Sequence, residues 1–298
     1  MDLQTLGVGA DSALDNVSRE VRAVARFRDP ERCTWQRLRV ALLRAAEALR
    51  LATGQSAPPI QVDPILPLRK IAPLPRYFSS NDSPEAVLVS SGTGFFIRLR
   101  PGLSECRCRW SKAHELAHTF FYDLTKCPPE RVLTRGLSIK EEGLCNDFAA
   151  ELLMPLGLVT GEAARLQEMS LWAYLHAVRR EYGVSTETAA RRLLRVQTRF
   201  RFAAAVFLDA TRAPSRAWWG AGLQSPRARE RAVVKRVQYA LQHKKLEELD
   251  LVRKEENGLA SVWWKGGEFG GHYAAAALID FSRSRSAVAP PIRQAIQP

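Results

Sequence analysis

The chain has little from which to build a disulfide-stapled or membrane-anchored protein. Its five cysteines, Cys33, Cys106, Cys108, Cys127 and Cys145, form no paired framework, and Cys106 and Cys108 lie too close for the usual two-residue zinc spacing. They are read as reduced thiols. No apolar run approaches the roughly 20 residues of a membrane span, and the opening MDLQTLGVGA has no basic head followed by an apolar stretch. The expected location is therefore the cytoplasm, with no membrane partner. Zinc-finger spacing and aromatic-interleaved RNA motifs are missing too, which removes the common dedicated nucleic-acid readers.

Positive charge, by contrast, is plentiful. Lysine and arginine number 44 against 31 acidic residues, a net charge of +13 with a pI near 10.0. Such a balance suits nucleic acid or an acidic partner surface through counterion release and long-range steering, although an arginine-rich solvated surface gives the same totals. With 298 residues and a 46% hydrophobic share, the chain has core enough for one large or two to three small domains.

One stretch concentrates chemistry. In WSKAHELAHTFFY, from Trp110 to Tyr122, His114 and His118 are four residues apart, so on a helix both imidazoles lie on one face and can reach a single metal ion. Zinc suits that donor type. Glu115 points beside the face, where it can take a proton from water activated at the metal. Two histidines on a helix also arise by accident, so a second feature is needed. It comes in KEEGLCNDFAAELLMP, from Lys140 to Pro155, where Glu142 and Asn146 again share a helical face. Glu142 can complete the protein ligands, and Asn146 can orient a ligating histidine through its other ring nitrogen. Three protein ligands leave a fourth position open, as catalytic rather than structural zinc sites do.

On these residues, the AHELAH segment after a basic-aromatic lead-in, a glutamate four residues before asparagine and the FAAELLMP run, the chain resembles the ImmA/IrrE family of zinc metallopeptidases. The resemblance implies that His114, His118 and Glu142 hold the metal and that Glu115 is the catalytic acid/base. It also implies a protein substrate, a helix-turn-helix repressor cut at one site in a stress or mobile-element response. The alanine that often precedes the asparagine is replaced here by Cys145, a thiol whose place near zinc suggests sensitivity to oxidation.

Along the chain, residues before about Asp29 read as a partly ordered lead, and Thr34 to Ala52 as an amphipathic helix, within an N-terminal helical segment over 1–55. Residues 56–200 would form the peptidase domain. It opens with a proline-rich run in which Asp63-Pro64 can start a short helix, then a hairpin from Glu85 to Ser90 and Gly94 to Arg100. The hairpin's edge could pair with an extended peptide. Leu156 to Leu175 reads as helical. The pattern LWAYLHAVRREYGVSTETAARRLLRVQ then looks like a helix-turn-helix capped at Ser185, either packing the domain or offering Thr186, Arg191 and Arg192 to DNA.

Residues 201–282 read as a small α/β domain, with strands in FAAAVFLDA, SVWWKGG and YAAAALIDF and a basic helix from Pro226 to Leu249. Residues 283–298 read as a disordered tail. His176, His272, Tyr122 and Tyr182 are unassigned candidates for a transition-state donor. The expected fold is thus α+β, a zincin-type core with helix-turn-helix-like helices and a C-terminal α/β domain. A rival reading is a DNA-binding or repressor-binding regulator without proteolysis. Oligomeric state is not encoded in any motif.

Overall fold

A computed structural model of the chain describes residues 3–26, 32–79, 84–132, 138–159, 171–196, 203–209, 212–219, 228–243, 261–269 and 272–280. The architecture is mixed α+β, mostly helical with small sheets. Contacts divide the chain into two units, one of residues 1–165 with 176–189 and one of 166–175 with 190–298. Among the described residues no helix is long and apolar enough to cross a membrane.

In the first unit, helix α1 spans Leu3–Arg26 where a partly ordered lead was expected. Its apolar residues recur at helical spacing, Leu14, Val17, Val21 and Val24 among them. Burial decides the matter, because Val17 and Val21, one turn apart, are both enclosed and α1 packs on helix α2, Arg32–Ala52. Helix α2 shows the expected periodicity, with Trp35, Leu38, Leu42, Ala45 and Leu49 buried on one stripe. That stripe faces helix α4, Ser138–Leu153. Arg39 Nε donates to Asp147 Oδ2 at 2.7 Å, and Lys140 lies 5.3 Å from the Trp35 ring centroid, so polar contacts rim the apolar seam.

The proline-rich run forms a turn at 63–65 and then a 3₁₀ helix, Leu66–Arg69, close to where Asp63-Pro64 was expected to start one. Its last residue secures helix α3, Glu105–His118, whose end tightens into a 3₁₀ turn over Thr119–Phe121. Arg69 donates to Thr119 Oγ1 and to the Thr119 carbonyl, each at 3.1 Å, and stacks 4.3 Å above the Phe120 ring. A cation there complements the negative end of the helix dipole and fills a carbonyl left free where the helix stops. Burial lowers the Arg69 pKa to about 10, so it stays charged at neutral pH.

Strands β1 (Arg76–Tyr77), β2 (Ala86–Ser91) and β3 (Gly94–Leu99) make a sheet in the order β1-β3-β2. The hairpin lies within one residue of the sequence expectation, with Leu88 opposite Ile97 and Gly92 turning at φ 55°. Strand β3 buries Phe95, Ile97 and Leu99 on one face, and helix α3 packs on both β2 and β3. At Gly94 the chain passes so close to the Lys70 carbonyl that an added Cβ would sit 2.3 Å from its oxygen. Beyond α3, β4 (Tyr122–Asp123) and β5 (Glu130–Arg131) pair as a short antiparallel ribbon.

Helices α5 (Leu171–Tyr182) and α6 (Thr186–Val196) form the expected pair about Gly183, which has φ 59°. Ser185 caps α6 as read from sequence, its Oγ accepting the Thr188 N–H at 3.1 Å. Arg192 is buried with Ala189, Ala190, Leu193 and Leu194. That burial is what a packing helix requires and is contrary to Arg192 lying free for a DNA groove. Of the helical reading for Leu156 to Leu175, 160–170 lie outside the described residues.

The second unit contains a four-stranded antiparallel sheet in the order β7-β6-β9-β8, from β6 (Ala203–Asp209), β7 (Arg212–Trp219), β8 (Ser261–Phe269) and β9 (His272–Asp280). Helix α7, Ala228–Gln242, packs on β6, β7 and β9 through a face that includes Val233, Val234, Val237 and Leu241. The expected helix to Leu249 and the tail from 283 extend beyond the described residues. Strand β7 was not foreseen, because Pro214 and its arginines read against a strand. Its place at the sheet edge removes the objection, since an edge strand can spare the N–H that proline lacks.

Gly94→Ala should therefore destabilise the protein by about 1–3 kcal/mol, the usual cost of forcing a methyl group into closely packed surroundings. Gly92→Ala, which meets no neighbouring atom and strains only the backbone, should cost about 1 kcal/mol. Thermal unfolding of both variants checks the order, and equal midpoints would contradict the close approach at Lys70.

Candidate metal centre

Helix α3 presents His114 and His118 one turn apart because the interval between them, Glu-Leu-Ala, continues the helix without a breaker. Ala113, Leu116 and Ala117 bury the opposite side, which turns the histidines toward α4. Helix α4 is fixed in turn by its own buried stripe of Cys145, Phe148 and Leu152, with Phe148 packed 5.4 Å from Phe120 between ring centroids. Through this pairing, four of the five singled-out residues meet at close range, and Glu115 borders them.

His114 Nε2 and His118 Nε2 are 3.1 Å apart. The Glu142 oxygens lie 3.1 Å from His114 Nε2 and 3.3 Å from His118 Nε2. A tetrahedral ion with bonds of about 2.0–2.1 Å separates its donors by about 3.3 Å, so this triangle has the dimensions of a metal site. Each histidine's outer nitrogen is also engaged. With the proton on Nδ1, His114 donates to Asn146 Oδ1 at 3.2 Å and His118 donates to Glu141 Oε1 at 2.8 Å. That tautomer leaves both Nε2 lone pairs facing the common centre, as ligation requires.

Two carboxylates could serve as the third donor. His114, Glu115 and His118 bring one candidate ligand atom each within 4.8 Å of one another, and Glu142 approaches both rings more closely. Their hydrogen bonds differ. Glu115 Oε2 accepts the Leu88 N–H of strand β2 at 2.7 Å and is held beside the sheet. Glu142 has no such tether in its contacts with the rings, and its side chain is 55% exposed, so the centre opens toward solvent on that side.

Electrostatics follow this arrangement. Burial raises the Glu115 pKa, against the opposing pull of His118, His114 and the Leu88 amide. Glu142 is held well below the usual carboxylate range by its hydrogen bonds to His114 and His118. For His118, burial works against the charged ring, but contacts with Cys145, Glu141 and Glu142 together carry it far above the ordinary histidine value. Cys145 is fully buried, and burial raises its thiol to about 11. The expected sensitivity to oxidation finds no support here, because a buried neutral thiol is a poor nucleophile.

The sequence reading missed Glu141, whose side chain is only 2% exposed and also pairs with Arg131 of β5. Its only signal was adjacency to Glu142. Of the candidate donors, Tyr122 lies edge-on to Phe95 with ring centroids 5.1 Å apart, Tyr182 is fully buried, His176 is half-buried in α5, and His272 opens β9 in the second unit.

Residues 77–194 match the family model described as the IrrE N-terminal-like domain, a peptidase family, which bears out the ImmA/IrrE resemblance over that stretch. No curated protein matches the chain. A solved structure of a Mycobacterium tuberculosis transcriptional regulator is similar with a TM-score of 0.46 and 14% identity, over 90% of this chain and 81% of that one.

The geometry makes a direct prediction. His114→Ala and His118→Ala should each abolish retention of a divalent metal by the purified protein, while Glu142→Ala weakens it. Elemental analysis after dialysis checks this, and full metal content in both histidine variants would contradict the site.

Proposed function

We propose that the chain is a zinc-dependent endopeptidase, with His114, His118 and Glu142 as ligands and Glu115 as general base. The single observation that carries the reading is the triangle of two imidazole nitrogens and a carboxylate at 3.1–3.3 Å, with both outer ring nitrogens held by acceptors. Two neutral imidazoles and one carboxylate form a donor set that zinc favours. The match of residues 77–194 to a peptidase family supports the same reading.

Held there, zinc would supply Lewis-acid polarisation of a carbonyl and acidification of water. Glu115 does the proton work. Its carboxylate takes the proton that attacking water loses and returns it to the nitrogen of the leaving amine. Burial favours that role, because a carboxyl pushed upward from its usual range is better matched to proton exchange near neutral pH. The Leu88 N–H fixes one oxygen and leaves the other for the proton.

Strand β2 lies at the edge of its three-stranded sheet, and its Leu88 amide reaches Glu115. A peptide laid along that edge as an added strand would pass beside the general base. By the family resemblance, the substrate is a helix-turn-helix repressor cut at one site, in a cytoplasmic stress or mobile-element response. The rival role as a DNA-binding regulator is weakened by the burial of Arg192, although a net charge of +13 suits nucleic acid.

Glu115→Gln tests the assignment. The substitution preserves volume and the bond to Leu88 but cannot accept a proton at neutral pH. Zinc content should be unchanged while cleavage of a co-expressed repressor encoded beside the peptidase falls by roughly a hundred- to ten-thousand-fold. Unaltered cleavage with zinc retained would refute the role given to Glu115.

A further inference from the structure

Adjacent residues on a helix project about 100° apart, so Glu141 and Glu142 cannot share a task. Glu142 faces the metal centre from the solvent side, whereas Glu141 is enclosed. A carboxylate removed from water must find partners for its oxygens or become costly. Glu141 has two. Oε1 accepts from His118 Nδ1 at 2.8 Å, and Oε2 accepts from the Arg131 guanidinium.

Arg131 belongs to a different part of the chain. It sits on β5 directly opposite Tyr122 of β4, with its guanidinium 5.7 Å from the Tyr122 ring centroid. The ribbon is tied to the end of α3, since the Val132 N–H donates to the Phe121 carbonyl at 2.9 Å. The result is a connected path from β5 through Glu141 to the outer nitrogen of His118. The two histidines are also supported unequally. His114 meets a neutral amide at 3.2 Å, and His118 meets a carboxylate at 2.8 Å. Hydrogen bonds to an ionised acceptor are roughly twice as strong as neutral ones.

We propose that Glu141, anchored from behind by Arg131, is a positioning residue that sets the ring orientation and tautomer of His118, so that the β4–β5 ribbon forms part of the metal centre. The proposal rests on the metal-centre reading above. It differs from a packing role in one consequence: removing the anchor changes the metal's affinity and coordination even where the fold is intact. Arg131 is the better handle, because its side chain is 35% exposed and its loss leaves the buried stripe of α4 untouched.

The experiment uses the full chain, with zinc binding measured against a chromophoric chelator and the visible absorption of the cobalt-loaded protein recorded in parallel. Glu141→Gln and Arg131→Gln should each weaken zinc about 10–100-fold, the usual effect of losing an outer partner of a ligating histidine. Both should also shift the cobalt bands relative to wild type. Should Glu141→Gln fail to fold, Arg131→Gln alone decides. Wild-type zinc affinity and an unshifted cobalt spectrum in Arg131→Gln, with or without lowered stability of the metal-free protein, would overturn the proposal. Wild-type protein that holds no zinc would instead overturn the metal-centre reading on which it rests.

Discussion

Two imidazoles one helical turn apart are held ready to share a metal when each gives its other nitrogen to an acceptor, because that bond selects the tautomer and stops the ring from turning. Helix α4 provides both acceptors, Asn146 for His114 and Glu141 for His118, and between them it carries Glu142. The first unit is arranged to keep α4 at that distance from α3. The α2 stripe and the Arg39 to Asp147 pair hold α4 from behind, and Phe148 against Phe120 sets the approach of the two helices. Arg69 secures the end of α3 next to His118. These contacts have little chemistry of their own, yet they set the separation of the donor atoms.

The arrangement also concentrates charge where water is scarce. Glu115, Glu141 and Arg69 are all buried, and each is met by specific partners rather than by solvent. Burying charge is costly unless it is paired or hydrogen-bonded, and these partners supply that pairing. His118 sits among the same groups, and contacts with Cys145, Glu141 and Glu142 raise its pKa against the effect of burial.

What could be read from sequence was what is local. The spacing of His114 to His118 and of Glu142 to Asn146 is helical periodicity, which needs no knowledge of the rest of the chain. The same holds for the α2 stripe, the hairpin at Gly92 and the cap at Ser185. Features that depend on distant partners were not legible. Glu141 looks like any glutamate beside Glu142 until Arg131 arrives from β5, and Arg69 looks like a surface cation until Thr119 meets it. Helix α1 is an exception, since Leu14, Val17 and Val21 already have helical spacing and the lead was still read as partly ordered, whereas β7 was hidden because Pro214 is tolerated only at an edge. Cys145 shows how packing adds what sequence does not hold: nothing local to Glu142 announces that this thiol is completely buried.

X-ray absorption at the zinc edge of the loaded protein tests the central claim most directly, since it reads the donor atoms without relying on substrate or turnover. The account predicts a first shell of nitrogen and oxygen only at about 2.0–2.1 Å, with the outer-shell scattering of two imidazoles. A sulfur contribution at about 2.3 Å, which would bring Cys145 into the coordination sphere, or a shell with fewer than two imidazoles, would contradict it.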